Sequence, residues 1–346
     1  MRKNSEVTQS EVFSQLRLPL IVLVTYAHSY GAIAPDYSLA VSGWDTYEVL
    51  KLLVSQTLVK VAVPVFYIMS GYLFFFGVER WSRGVYLAKM RRRFFSLLLP
   101  YFFWNALVAW KYGVFSWHVF WDFNAVAGVQ TDWLGQQQLM TAPACMPLWF
   151  LRDLMVVSML TPIIYMAVRR LGWWLMAGLL AWYLSGVSAF VPGLSAYAVC
   201  FFTLGAFMSI RHQELVPAML RWERPACILA IVFGVLMMFT YRMPVFSSLM
   251  LCFRLSGALV VFCVAYRLLH LTRKRLPAVI CRSSYLVYLA HYALFLSFID
   301  AAFFRFFGTA TTALCLHYLF CPLLKAALFV GAYCLYSRCV KKLTWK

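Results

Sequence analysis

Acidic residues are scarce in this chain. Its 346 residues include 12 Asp and Glu against 31 Lys and Arg, and charged residues of both signs make up only 12% of the total. A chain that is also 63% apolar is excluded from the ordinary soluble class, in which about a quarter of residues are charged. CxxC pairs are absent too. The ten cysteines are scattered, most of them inside apolar runs (Cys200, Cys227, Cys252, Cys263, Cys315, Cys334). There a free thiol behaves as a small hydrophobe, so neither a disulfide framework nor a zinc site is signalled. Short internal repeats and Pro/Gly-rich linkers are lacking. No small-residue cleavage site closes a short apolar stretch near the N-terminus, so the first apolar run reads as a retained span rather than a signal peptide.

What remains is a succession of apolar runs long enough to cross a bilayer. The net charge of +19 sits in short basic clusters between those runs, of which Arg80, Arg83, Lys89, Arg91, Arg92 and Arg93 form the strongest. Positive-inside loops have this distribution, and a nucleic-acid partner is not expected. The pattern predicts an all-α, polytopic membrane bundle of about ten transmembrane helices with both termini cytoplasmic. The spans are placed at 17–35, 54–77, 94–112, 147–168, 172–190, 194–210, 225–241, 247–267, 279–303 and 310–335. Residues 1–16 form a polar cytoplasmic arm, 17–337 the membrane-embedded domain and 338–346 a basic tail. Residues 171–210 carry no charge at all; Val191-Pro192-Gly193 supplies the break that divides them. Lys325 is an awkward residue inside the last span.

Arg17 and His28 stand eleven positions apart in RLPLIVLVTYAH. That separation is three helical turns plus about 20°, so both lie on one face, about 16 Å apart along the axis. An ionisable pair on one membrane stripe is costly unless it faces a bundle interior or a wet cavity. His28 is the candidate proton acceptor, and Arg17, at the cytoplasmic end, a candidate ligand for a phosphate-bearing donor. Against these stand a histidine hydrogen-bonded to a neighbouring span and a positive-inside cation. Arg152 and Asp153 put a charge pair inside a span. Adjacent residues do not face each other on a helix, so separate partners are expected, with Arg152 either an acceptor ligand or part of a buried ion pair. Arg254 has the same ambiguity. Ser70-Gly71 forms a small polar notch that permits close approach of a helix or ligand. Arg91-Arg92-Arg93 reads either as a phosphate grip or as a topogenic patch. His291 falls near mid-membrane; His118, His212 and His270 fall in loops or at their edges.

Taken in order, these features resemble the acyltransferase-3 family of polytopic membrane acyltransferases. The matching segments are Arg17 and His28 with ten residues between them, Phe66–Leu73 (FYIMSGYL), Arg91–Tyr101, Trp149–Leu154 (WFLRDL) followed by Pro162, Phe202–Gly205 (FTLG) and Ser284–His291 (SYLVYLAH). They cover roughly residues 12–295. The resemblance implies transfer of an acyl group, usually acetyl, from cytosolic acyl-CoA to a hydroxyl of a carbohydrate or related acceptor across the membrane, with no metal. It makes His28 the catalytic histidine and Arg17 its partner. Arg91, Arg92 and Arg93 then lie near the CoA; Arg152, Ser70 and His291 are, from the residues themselves, the candidates for the substrate side. Direct transfer is the expected route, and an acyl-histidine intermediate stays open. One departure is Ser96, where family members often carry a second arginine three residues after the one at Arg93. The soluble domain that some relatives append is not seen, and the oligomeric state is left open. The competing class is a transporter or flippase for a lipid-linked sugar or polyol. Transporters are often built from repeated halves, and the first and last five spans show no such correspondence.

Overall fold

The computed structural model describes residues 7–28, 45–112, 125–131, 137–187, 193–241, 243–294 and 297–344. The chain divides into two compact units, Met1–Ala62 with Val264–Lys346, and Val63–Cys263.

In the first unit, helix α1 (Gln9–Ala27) starts at a capping box. The Glu11 backbone N–H donates to Thr8 Oγ1 at 3.3 Å, and the Thr8 N–H donates to Glu11 Oε2 at 2.8 Å, so two orphan donors of the helix start are satisfied. The helix therefore opens eight residues ahead of the span placed at 17–35, within the polar arm. The Thr8 N–H, helped by Arg275, holds the Glu11 carboxyl below its usual value. Gln15 closes the same corner: its Nε2 donates to Leu276 O at 3.1 Å and its Oε1 accepts from Leu276 N at 2.8 Å. Those bonds fix α1 beside the start of a helix that runs over Ala278–Ala293.

A second helical run begins at α2 (Thr46–Lys51), capped by Asp45. It passes through a π-helical turn, Leu52–Thr57, and a 3₁₀ turn, Leu58–Val61, into α3 (Ala62–Phe75). π-Turns inside helices often mark functional sites. Here the turn carries Ser55, which donates to the Tyr26 carbonyl at 2.9 Å and accepts from the Tyr318 hydroxyl. Tyr26 donates in turn to Leu319 O at 2.8 Å. Tyr26, Tyr47, Val59 and Tyr318 form the buried cluster beneath this network.

In the second unit, α4 (Arg83–Arg93) leads through a π-turn, Phe94–Leu98, into α5 (Leu99–Tyr112). The long non-spanning segment then holds an antiparallel hairpin, β1 (Ala125–Thr131) and β2 (Gln137–Ala142), with Gln130 paired to Gln138. This hairpin is a small addition to the expected helical architecture. The segment offers no 3.6-residue apolar stripe, and facing strands satisfy its backbone instead. The span placed at 147–168 is bent: α6 (Trp149–Met159) and α7 (Thr161–Leu171) meet at 61°. Pro162 has no N–H to give to the carbonyl of Ser158. The Thr161 hydroxyl donates to that carbonyl at 2.7 Å in its place.

The uncharged stretch divides into α8 (Trp173–Leu184) and α9 (Ala196–Ile210). Of the expected break, only Gly193 lies among the described residues, with φ +85°, a conformation that glycine adopts without penalty. Helices α3 and α9 cross at glycines. A Cβ on Gly71 would stand 1.9 Å from Phe202 O, and one on Gly205 would stand 1.9 Å from Ile68 O. The notch expected at Ser70-Gly71 is thus a helix crossing. The short α10 (Leu215–Leu220), α11 (Glu223–Thr240) and α12 (Val245–Thr272) complete the unit, α12 continuing into the first.

Back in the first unit, α13 (Ala278–Ala293) and α14 (Ser297–Phe307) are bent by 71°, and α15 (Thr311–Thr344) ends the described chain. By length and composition, four stretches among the described residues suffice to cross a membrane: Thr46–Phe75, Glu223–Thr240, Val245–Thr272 and Thr311–Val340. Counting each bent pair as one span raises the number to six, while α8 and α9 are apolar but shorter.

Lys325 finds its reason here. Its Nζ donates to both Asp300 oxygens at 2.7 Å, and His317 Nε2 donates to Oδ1 at 2.8 Å. Lys325→Met leaves a buried carboxylate without its cation, which is expected to cost about 3–5 kcal/mol. The double variant Lys325→Met/Asp300→Asn is expected to recover a large part of that loss. Thermal unfolding of both variants in detergent measures the difference.

Candidate functional site

His28 is the residue that caps the C-terminal end of α1; its N–H reaches back to Thr25 O at 3.2 Å. The helix stops there, so the imidazole stands at the end of α1 instead of on its flank. Across from it, on α13, lies His291. The two ring centroids are 5.4 Å apart with the planes inclined at 44°. The Tyr292 ring meets His28 edge-on at 5.8 Å. His291 Nδ1 lies 2.7 Å from the Tyr288 carbonyl, and a carbonyl only accepts, so Nδ1 carries the proton. His291 Nε2 is buried and has no hydrogen-bond partner among the described residues. Lys60, in the 3₁₀ turn, acts on His28 electrostatically. Two histidines singled out separately in the sequence thus face each other. No spacing rule predicts which helix ends meet, and Lys60 had no signal beyond its position in an apolar run.

Arg17 is exposed, whereas His28 is half-buried. Arg17 thus sits open midway along α1, and the imidazole sits at the covered C-terminal end of that helix.

In the second unit the arginine run is split. Arg91 and Arg92 are exposed at the end of α4. Arg93 turns inward, with Nη1 and Nη2 donating to Ser70 Oγ at 3.3 and 3.2 Å and the guanidinium 5.4 Å over the Phe74 ring. Burial lowers Arg93 to about 10, so it stays charged at neutral pH. Ser70 is engaged by that guanidinium, and Ser96 falls within the π-turn that follows it.

Arg152 and Asp153 pair with each other, contrary to the expectation of separate partners. Arg152 Nε and Nη2 donate to Asp153 Oδ1 at 3.2 and 3.0 Å, and Ser195 Oγ donates to Oδ2 at 3.1 Å. The pair lies in the first turn and a half of α6, where a long side chain can fold back along the helix start. Both residues are buried, the geometry of an ion pair that shapes the unit. Arg254 stacks over Tyr197 at 4.8 Å. His118 lies outside the described residues. His270 stacks on Tyr266, and His212 occupies a turn at φ +53°. Asp300, His317 and Cys321 place potential ligand atoms within 4.8 Å of one another. The cation on the Asp300 carboxylate is already the Lys325 ammonium.

Residues 13–336 match a family of acyltransferase domains. The chain belongs to the acyltransferase-3 family. Paired imidazoles suit such a protein, because acyl transfer to a hydroxyl requires a proton acceptor. The chain is also similar to the succinoglycan biosynthesis protein ExoH of Rhizobium meliloti (strain 1021), at 24% identity over 163 residues. That similarity takes in 45% of this acyltransferase-3 chain and 42% of the relative's length. No solved structure matches it.

Proposed function

We propose that this protein moves an acyl group, acetyl in the first instance, from cytosolic acyl-CoA to a hydroxyl of an extracytoplasmic carbohydrate. It does so from a bacterial cytoplasmic membrane, with about ten spans and both termini inside. The single observation that carries this reading is the His28 imidazole, held at the covered end of α1 and facing a second imidazole. Family membership supports acyl transfer as the chemistry. The name of the Rhizobium relative supports a surface polysaccharide as the acceptor.

The chemistry follows from the residues. His28 takes the proton of the acceptor hydroxyl as its oxygen attacks the thioester carbonyl. The C–O bond forms, the C–S bond breaks, and the leaving CoA sulfur recovers the proton from His28. An arginine or a backbone N–H stabilises the oxyanion between the two steps. Arg91 and Arg92, exposed at the end of α4, supply cations for the phosphates of the donor; Arg17, exposed midway along α1, is a further cation of the unit that carries His28. Arg93 and Ser70 brace the start of that basic helix end against α3.

The direct test uses purified protein in nanodiscs with radiolabelled acetyl-CoA and an envelope glycan extract. CoA release with label in the glycan is expected; counterflow of glycan without CoA consumption would identify a transporter instead. Within that assay, Arg91→Gln/Arg92→Gln is expected to raise the KM for acetyl-CoA about tenfold at low salt and leave kcat within twofold. Because exposed charges are screened within about 10 Å at 0.1 M salt, the gap between variant and wild type should close as salt rises. A KM that is equal at every ionic strength would remove both arginines from donor binding.

A further inference from the structure

We propose that His291 is a positioning residue for His28: its Nε2 accepts the ring N–H of His28, so that the opposite nitrogen of His28 presents its lone pair to the acceptor hydroxyl. This rests on the reading of His28 as the proton acceptor. The Tyr288 carbonyl, 2.7 Å from His291 Nδ1, leaves Nε2 as a bare acceptor in the neutral ring. That nitrogen is buried and unpartnered among the described residues, a state that ordinarily costs free energy and calls for an explanation. The nearby His28 ring, 5.4 Å away between centroids, supplies one. Two imidazoles joined by a single N–H···N bond have centroids about 5 Å apart, given N···N distances near 3 Å, so a small rotation closes the bond. His291 then does for His28 what a carboxylate does in an acid–base triad: it selects the tautomer and strengthens its hydrogen bond as the imidazolium forms. Unlike a carboxylate it is neutral, so the resting site holds no buried anion.

The arrangement works only when both rings are unprotonated, because a protonated His291 has two donors and no acceptor. The elements packed around the pair carry Arg17 and Tyr26 on α1, Tyr288 and Tyr292 on α13, and Tyr47 and Lys60 on the run after Asp45. Tyr318, His317 and Lys325 lie on α15, the last two joined to Asp300 of α14. Among these, only His28, His291 and His317 are imidazoles, which ordinarily titrate between pH 5 and 8.

The test is the acid limb of kcat/KM for acetyl transfer. For the wild-type protein it should fall about a hundredfold per pH unit below both transitions, the mark of two required deprotonations. His291→Gln keeps an acceptor oxygen but does not titrate. Its limb should fall only about tenfold per unit, with kcat within about tenfold of wild type. His291→Leu should lose about 10²-fold or more in kcat with the KM for acetyl-CoA unchanged, and His317→Gln should keep the steep limb. A wild-type slope of one, or a His291→Gln slope still at two, overturns the proposal. A second measurement is independent of turnover: ¹⁵N-histidine spectra of the protein in nanodiscs, assigned with His28→Gln and His291→Gln. His291 should appear at neutral pH as the Nδ1–H tautomer with Nε2 in a hydrogen bond that is lost in His28→Gln. An Nε2–H tautomer, or spectra unmoved by His28→Gln, would overturn it even if no transfer were detected with any glycan. Absence of transfer with the expected spectra would instead overturn the assigned reaction.

Discussion

His28→Ala is expected to reduce acyl transfer by about 10³-fold, within the range for loss of a general base, while the KM for acyl-CoA stays within twofold. The split follows from the fold. His28 stands at the end of α1, three turns from Arg17, and the cations assigned to the donor are Arg91 and Arg92. Removing the imidazole takes away a proton acceptor and leaves those charges in place. The side chain is also half-buried at a helix terminus, so truncation there does not hollow out a packed core. The measurement is steady-state transfer by wild type and variant matched for elution profile and unfolding midpoint. A rise in KM with kcat intact would make His28 a donor-binding residue. Undiminished transfer would remove it from the mechanism.

Gly205→Ala and Gly71→Ala are each expected to destabilise the second unit by about 3 kcal/mol or more, above the middle of the range for overpacking. Each glycine lacks the atom that would stand 1.9 Å from a backbone carbonyl of the partner helix. A carbonyl of a helix cannot swing aside as the tip of a flexible side chain can, so α3 and α9 must separate. Small residues at such crossings let backbones approach within membranes. Gly178→Ala and Gly331→Ala are the controls: both lie in helices with nothing within 4 Å of the added Cβ. They should be neutral or slightly stabilising, since alanine favours helix. Unfolding midpoints in detergent check all four. Wild-type stability of Gly205→Ala would mean that the crossing is looser than described.

The elements most legible in the sequence were those set by local chemistry. The Val191-Pro192-Gly193 break marks where an uncharged stretch must turn, whereas the capping box of Thr8 and Glu11 lies within the stretch read as a polar arm. The shared Arg17–His28 stripe does not hold at its far end, because α1 stops at Ala27 and His28 is its non-helical cap. Pro162 was visible too, but its consequence was missed. Whether a proline ends a helix or bends it depends on whether a neighbour such as Thr161 satisfies the freed carbonyl. The hairpin at residues 125–142 escaped because neither strand has an apolar alternation strong enough to announce it. For the site, His28 and His291 were each singled out, yet their meeting was not legible. It depends on how α1 and α13 pack, and that is set by Gln15, Glu11 and Arg275 far along the chain. A buried ion pair is one of the two readings open for Arg152, and Asp153 is its partner; the rule for neighbours on a helix face ignores the reach of an arginine at a helix start. Lys325, Asp300 and His317 lie 25 and 17 residues apart, a separation that only the bend between α13 and α14 and the turn into α15 brings together.

The central claim is that an acyl group crosses from a cytosolic donor to an outer acceptor. The measurement that tests it most directly is transfer in sealed proteoliposomes of uniform orientation, with labelled acetyl-CoA confined to the side of the termini and glycan acceptor confined to the other. Label is expected in the outer glycan, with free CoA appearing only on the donor side and neither event in His28→Ala. Label that appears only when donor and acceptor share one compartment would contradict it.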